Sequence, residues 1–73
     1  MASDNPLNPV HYRRWNIEPW DFIAANNLDF FRGNIIKYLM RSDVKGGVED
    51  LQKARTYLDK LIILERKLEE EHA

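Results

Sequence analysis

VEDLQKARTYLDKLIILERKLEE, residues 48–70, decides the fold class of this chain. Leu51, Ala54, Leu58, Leu61, Ile62 and Leu68 recur at threes and fours, the period of one α-helical face. At 1.5 Å per residue such a helix extends roughly 35 Å. Upstream, GNIIKYLMR at 33–41 lies in a second helix, predicted from about Phe30 to Arg41 or Ser42 with Asp29 as N-cap. It is about half as long and cannot cover its longer neighbour. Leu61, Ile62, Leu64 and Leu68 therefore call for another chain, and self-association into a helical dimer or higher oligomer is the simplest expectation.

Between the two helices, Asp43-Val44-Lys45-Gly46-Gly47 reads as a loop, because a glycine pair permits backbone angles that other residues avoid. Pro19 suits a first helical turn, which predicts a short helix from about Pro19 to Ala25. Trp20, Phe22 and Ile23 supply its apolar contacts, and Asn26 and Asn27 terminate it. Residues 1–10, with Ser3, Asp4, Asn5, Pro6, Asn8 and Pro9, have the composition of a flexible N-terminal arm. That leaves 11–71 as a single helical domain. Apolar and polar residues nowhere alternate over several positions, so no strand is expected. The fold class is all-α: a short helix plus a helical hairpin with a long C-terminal helix, assembling as a helical oligomer.

With 73 residues a chain buries only about 60% of its unfolded surface and is marginal as a lone copy. The absence of cysteine excludes a disulfide framework, a thiolate nucleophile and a cysteine-based zinc site, and fits a reducing compartment. Neither a secretory leader nor a membrane span is expected from the polar start and the lack of a long apolar run. A net charge of −1 argues against general nucleic-acid binding, although Arg13, Arg14 and Trp15 offer charge and stacking. The cations precede an acidic end at Glu69, Glu70 and Glu71. A local cationic site in a neutral molecule suits a small anion.

Asn34, Lys37, Tyr38 and Arg41 fall at i, i+3, i+4 and i+7 and share one helical face. An amide, an amine, a phenol and a guanidinium in one row can grip an anion attached to a flat, hydrogen-bonding group, as in a nucleotide. Ile35, Ile36, Leu39 and Met40 are left for burial. Gly33, at a cost of roughly 0.5–1 kcal/mol against alanine, points to the close approach of a backbone or ligand. Asp50, Lys53 and Tyr57 form a second row that antiparallel packing would turn towards Lys37 and Arg41. The plain alternative is a solvated helix face with ordinary i, i+3 or i, i+4 ion pairs from Asp50 or Glu49 to Lys53. His11 with Asp21 is either an acid–base or positioning pair, or a packing histidine. No metal-ligand spacing and no GxxxxGK[ST] phosphate loop occurs.

The order HY, IEPWDFI, LDFFRGNIIKYLMR and KGGVEDLQKARTYLDKLI resembles a small bacteriophage protein family, catalogued as a domain of unknown function or as phage nucleotide kinase-like (SaV-like) proteins. The likeness covers roughly residues 11 to 63. Trp20 stands where smaller apolar residues are usual, and Arg13-Arg14-Trp15 replaces a more variable segment. The resemblance implies nucleotide handling in the host cytoplasm during phage infection. It also implies His11, Asp21, Asn34, Lys37, Tyr38, Arg41, Lys45, Glu49, Asp50 and Lys53 as ligand contacts. One branch looks like a larger nucleoside monophosphate kinase without a phosphate loop. If phosphoryl transfer occurs here, Asp50 or Glu49 would hold magnesium; the small size favours binding without turnover, which extends to sequestering a signalling nucleotide of host immunity. The competing reading is a helical interaction module that zips to a host or phage protein.

Overall fold

The computed structural model describes residues 15–72. The expected arm at 1–10 and His11 lie outside them. Within them the chain forms three α-helices, α1 (Pro19–Ala25), α2 (Phe30–Arg41) and α3 (Gly47–His72), and no strand.

α1 starts where Pro19 supplies a helical φ and forgoes an amide that has no intrahelical partner. Its first turn closes with the Phe22 N–H donating to the Glu18 carbonyl at 3.0 Å. The end is a Schellman motif. Asn27 takes φ +52°, its N–H donates to Ala24 at 3.2 Å, and the Leu28 N–H reaches back to Ile23 at 3.1 Å. Asparagine tolerates this left-handed geometry, which turns the chain into α2.

α2 is capped as expected by Asp29, whose carboxylate accepts the Arg32 N–H at 2.9 Å. The Arg32 side chain then closes on the same carboxylate at 2.6 Å and extends to Glu65 of α3 at 3.4 Å. The Arg32 backbone N–H, and after it the Arg32 guanidinium, hold the Asp29 carboxyl below its ordinary value. A depressed carboxylate pKa contributes stability above its unfolded value and loses it as pH falls through the folded one. Asp29→Ala is therefore expected to lower the urea midpoint at neutral pH, and the difference from wild type should vanish in acid below the usual carboxylate range. Urea titrations at the two pH values check this.

Helical winding does not stop after α2. In place of the expected loop, Ser42–Gly46 make one π-helical turn, in which the Gly47 N–H donates to the Ser42 carbonyl. Ser42 Oγ also donates to the Leu39 carbonyl at 2.7 Å. The reversal comes at Gly47, with φ +56°, a conformation suited to glycine. α3 then runs antiparallel to α2. Arg41 meets Asp50, Tyr38 meets Tyr57, and Arg32 meets Glu65.

Gly33 is buried because α1 packs there: a β-carbon on it would lie 3.2 Å from Ile23 Cγ2. Within the chain the close approach is thus made by the Ile23 side chain and not by a backbone. Leucine at Gly33 is expected to push α1 from α2 and cost about 1–3 kcal/mol, read as a lower urea midpoint.

The seam between α2 and α3 is ionic and aromatic more than aliphatic. Ile35, Ile36 and Met40 are only half-buried and Leu39 is exposed. Among the described residues Ala54 is the only buried hydrophobic one besides Pro19 and Gly33, and the largest wholly buried side chain is a carboxylate, Asp50. Twelve residues of α2 span about 18 Å and twenty-six of α3 about 39 Å. Leu51, Leu58, Ile62, Ile63, Leu64 and Leu68 are left exposed.

Candidate functional site

The antiparallel hairpin brings the two polar rows together at its closed end. Asp50 is 1% exposed. Its Oδ2 lies 3.3 Å from Arg41 Nε and its Oδ1 lies 3.8 Å from Lys53 Nζ. Neither Arg41 Nε nor Asp50 Oδ2 completes a hydrogen bond within the protein, so the contact is one of charge. The carboxylate rests on Gly46, where any β-carbon would overlap it. The glycine in the π turn is therefore matched to a side chain four residues on.

Tyr38 forms the other half of the cluster. Its ring stacks on Tyr57 with centroids 5.9 Å apart and planes 16° from parallel. Lys37 Nζ lies 4.4 Å and Lys53 Nζ 5.5 Å from the Tyr38 centroid, both within the range of cation–π attraction. Tyr57 also meets Phe30 and Phe31 edge-on, at 5.7 and 6.3 Å. Arg41, Lys37 and Lys53 carry three positive charges against the one carboxylate of Asp50. The cluster is a cationic surface with an aromatic floor, suited to an anion on a flat group.

The proposed row on α2 divides in two. Tyr38 and Arg41 turn to α3. Asn34 and Lys37 line a shallow depression with Gly33, Asp29, Phe30 and Ile23. Asn34 Nδ2 already donates one hydrogen to the Phe30 carbonyl at 2.8 Å, which leaves its second N–H and its Oδ1 for other partners. Lys37 borders both halves.

Lys45 is exposed in the π turn and Glu49 is exposed at the start of α3. Asp21 is exposed in the first turn of α1 and has no hydrogen bond or ion pair among the described residues. Magnesium fits Asp50 poorly, because the Arg41 and Lys53 cations already flank that carboxylate and would repel a divalent ion. Among the described residues no group of three or more His, Asp or Glu gathers as a metal site.

Two residues escaped the sequence reading. Arg32 ties the cap of α2 to Glu65, and its spacing of three from Asp29 was the available signal. Gly46 accommodates Asp50, a role that appears only once the turn is built.

The fold and cluster define a three-helix protein with a polar seam at the closed end of a hairpin. A family model described as a protein of unknown function, DUF3310, matches residues 7–59, and the chain belongs to that family. The match includes α1, α2, the π turn and the first half of α3, hence the whole cluster. No curated protein and no solved structure matches the chain.

Proposed function

We propose that this is a phage-encoded nucleotide-binding protein, nucleotide kinase-like or nucleotide-sequestering, whose site is the Lys37–Tyr38–Arg41–Lys53 face of the hairpin. The observation that carries the reading is that Arg41 and Lys53 meet on one buried carboxylate while Lys37 and Lys53 lie against the Tyr38 ring of a stacked tyrosine pair. Lys37, Lys53 and Arg41 hold phosphate, Lys45 adds charge from the turn, and Asn34 Oδ1 or an aromatic edge reads the base. Lys37 and Arg41 are half-buried and Lys45 and Lys53 exposed, an open face that excludes little water, which favours binding and sequestration over phosphoryl transfer. The protein then acts on host or phage nucleotide pools, or on a signalling nucleotide of host defence, in the host cytoplasm. It does so as a homo-oligomer formed through α3.

Calorimetry with a panel of ribo- and deoxyribonucleotides tests the site. Wild type is expected to bind at least one of them, and Lys37→Ala/Arg41→Ala to bind it at least tenfold more weakly, about 1.4 kcal/mol. No binding by wild type, or equal binding by the variant, contradicts the assignment.

The exposed apolar residues of α3 favour a second reading, a helical module that captures a host or phage protein. It requires that Leu61→Glu abolish capture while substitutions at Lys37 and Arg41 have no effect.

A further inference from the structure

We propose that Asp50 is the positioning residue of this site: it fixes Arg41 and Lys53, and through Gly46 the π turn, so that their donors are preorganised for a phosphate. The inference rests on the phosphate-site reading above.

At 1% exposure Asp50 is too buried to touch a ligand itself. Its two oxygens are instead divided between two cations of different helices, Arg41 Nε at 3.3 Å and Lys53 Nζ at 3.8 Å. An arginine met at Nε keeps the end-on fork of its two Nη groups for another acceptor. Lys53 is held at one oxygen, and an ammonium has three donors. Without an anchor, both long side chains would lose rotamer freedom on binding, which costs affinity. The carboxylate also occupies the space above Gly46, which couples the cations to the backbone of the turn.

A purely stabilising role is a poor explanation. A buried ion pair is weak evidence for stability, since desolvation offsets the attraction. In a chain with so little apolar burial, an aliphatic side chain at position 50 would serve the fold better. Charge counting adds to this: one carboxylate between Arg41 and Lys53 leaves a surplus positive charge, and Lys37 beside Tyr38 supplies another. The cluster is arranged by Asp50 and not neutralised by it.

The test is an NMR titration with inorganic phosphate, following the backbone amide signals of the π turn and the first turn of α3 in wild type, Asp50→Asn, Arg41→Ala and the double variant. Wild type is expected to show saturable shifts. Asp50→Asn should bind phosphate at least fivefold more weakly, and in the Arg41→Ala background should add little further loss, the non-additivity of residues acting through one another. A mere counter-ion predicts the opposite sign, because removing its charge would tighten anion binding. Equal or tighter binding by Asp50→Asn therefore overturns the inference while leaving the site intact. Absence of phosphate binding by wild type overturns the site reading and the inference together. One readout needs no variant: in phosphate-free wild type the Arg41 Nε–H relaxation should match that of the ordered backbone, and a mobile Nε–H overturns the proposal.

Discussion

Gly46→Ala is expected to lower the stability of the folded hairpin by about 1–3 kcal/mol, the cost of overpacking a filled space, and to weaken phosphate binding with it. The added methyl would occupy the position of the Asp50 carboxylate. Aspartate is short, and this one is enclosed between Arg41 and Lys53. Relief therefore requires either a rotation that separates the ion pairs or an unwinding of the π turn. Separation leaves Arg41 Nε, already buried without a hydrogen-bond partner, with no counter-charge, and burial of an uncompensated charge is costly. Alanine ordinarily improves a helical position, so the sign of the effect is diagnostic. A urea titration reads it: a midpoint below that of wild type agrees, and one that is unchanged or raised would mean that Asp50 does not hold the turn.

Ile62→Glu and Leu64→Glu are expected to convert an assembled protein into monomers while preserving helicity. Both side chains are exposed in the single chain, so a carboxylate there has no internal core to disrupt. The four consecutive apolar residues Leu61-Ile62-Ile63-Leu64 sweep a full helical turn at 100° per residue. One flank of that turn lies over the groove that Leu61 shares with Leu58, Ile35 and Phe22, whereas Ile63 on another flank is 59% exposed. This apolar turn, set between Asp59-Lys60 and Glu65-Arg66, offers an apolar flank for another chain to cover. Carboxylates placed there would have to be desolvated on association, at a cost that exceeds a typical contact. Sedimentation checks the mass and circular dichroism the helicity. Unchanged mass, or a wild type that is itself monomeric, would remove the assembly.

Much of the backbone was legible because specific residues announce ends. Pro19, the Asn26-Asn27 pair and Asp29 each bring a local constraint, and α1 begins and ends, and α2 begins, where those constraints act. The antiparallel meeting of Arg41 with Asp50 was legible as well, since a tight turn between two helices pairs residues equally far from it. The π turn was not. A glycine pair reads as a loop, and the need for glycine at position 46 arises from a side chain that reaches back from α3. The nature of the seam was hidden for a related reason. Spacing shows which residues share a face, but not which face turns inward. Here Tyr38 and Arg41 turn to α3 while Leu39 faces solvent. Of the ligand-contact candidates, the hairpin gathers Lys37, Tyr38, Arg41, Asp50 and Lys53, puts Asn34 on the rim, and leaves Asp21 apart.

Native mass spectrometry after incubation with an equimolar mixture of ribo- and deoxyribonucleotides would test the central claim most directly, because one spectrum reports both subunit number and bound ligand. The account predicts an oligomer of the 8.7 kDa chain carrying a mass increment equal to one of the nucleotides, with the increment lost in Lys37→Ala/Arg41→Ala. A ligand-free spectrum of the wild-type protein would contradict it.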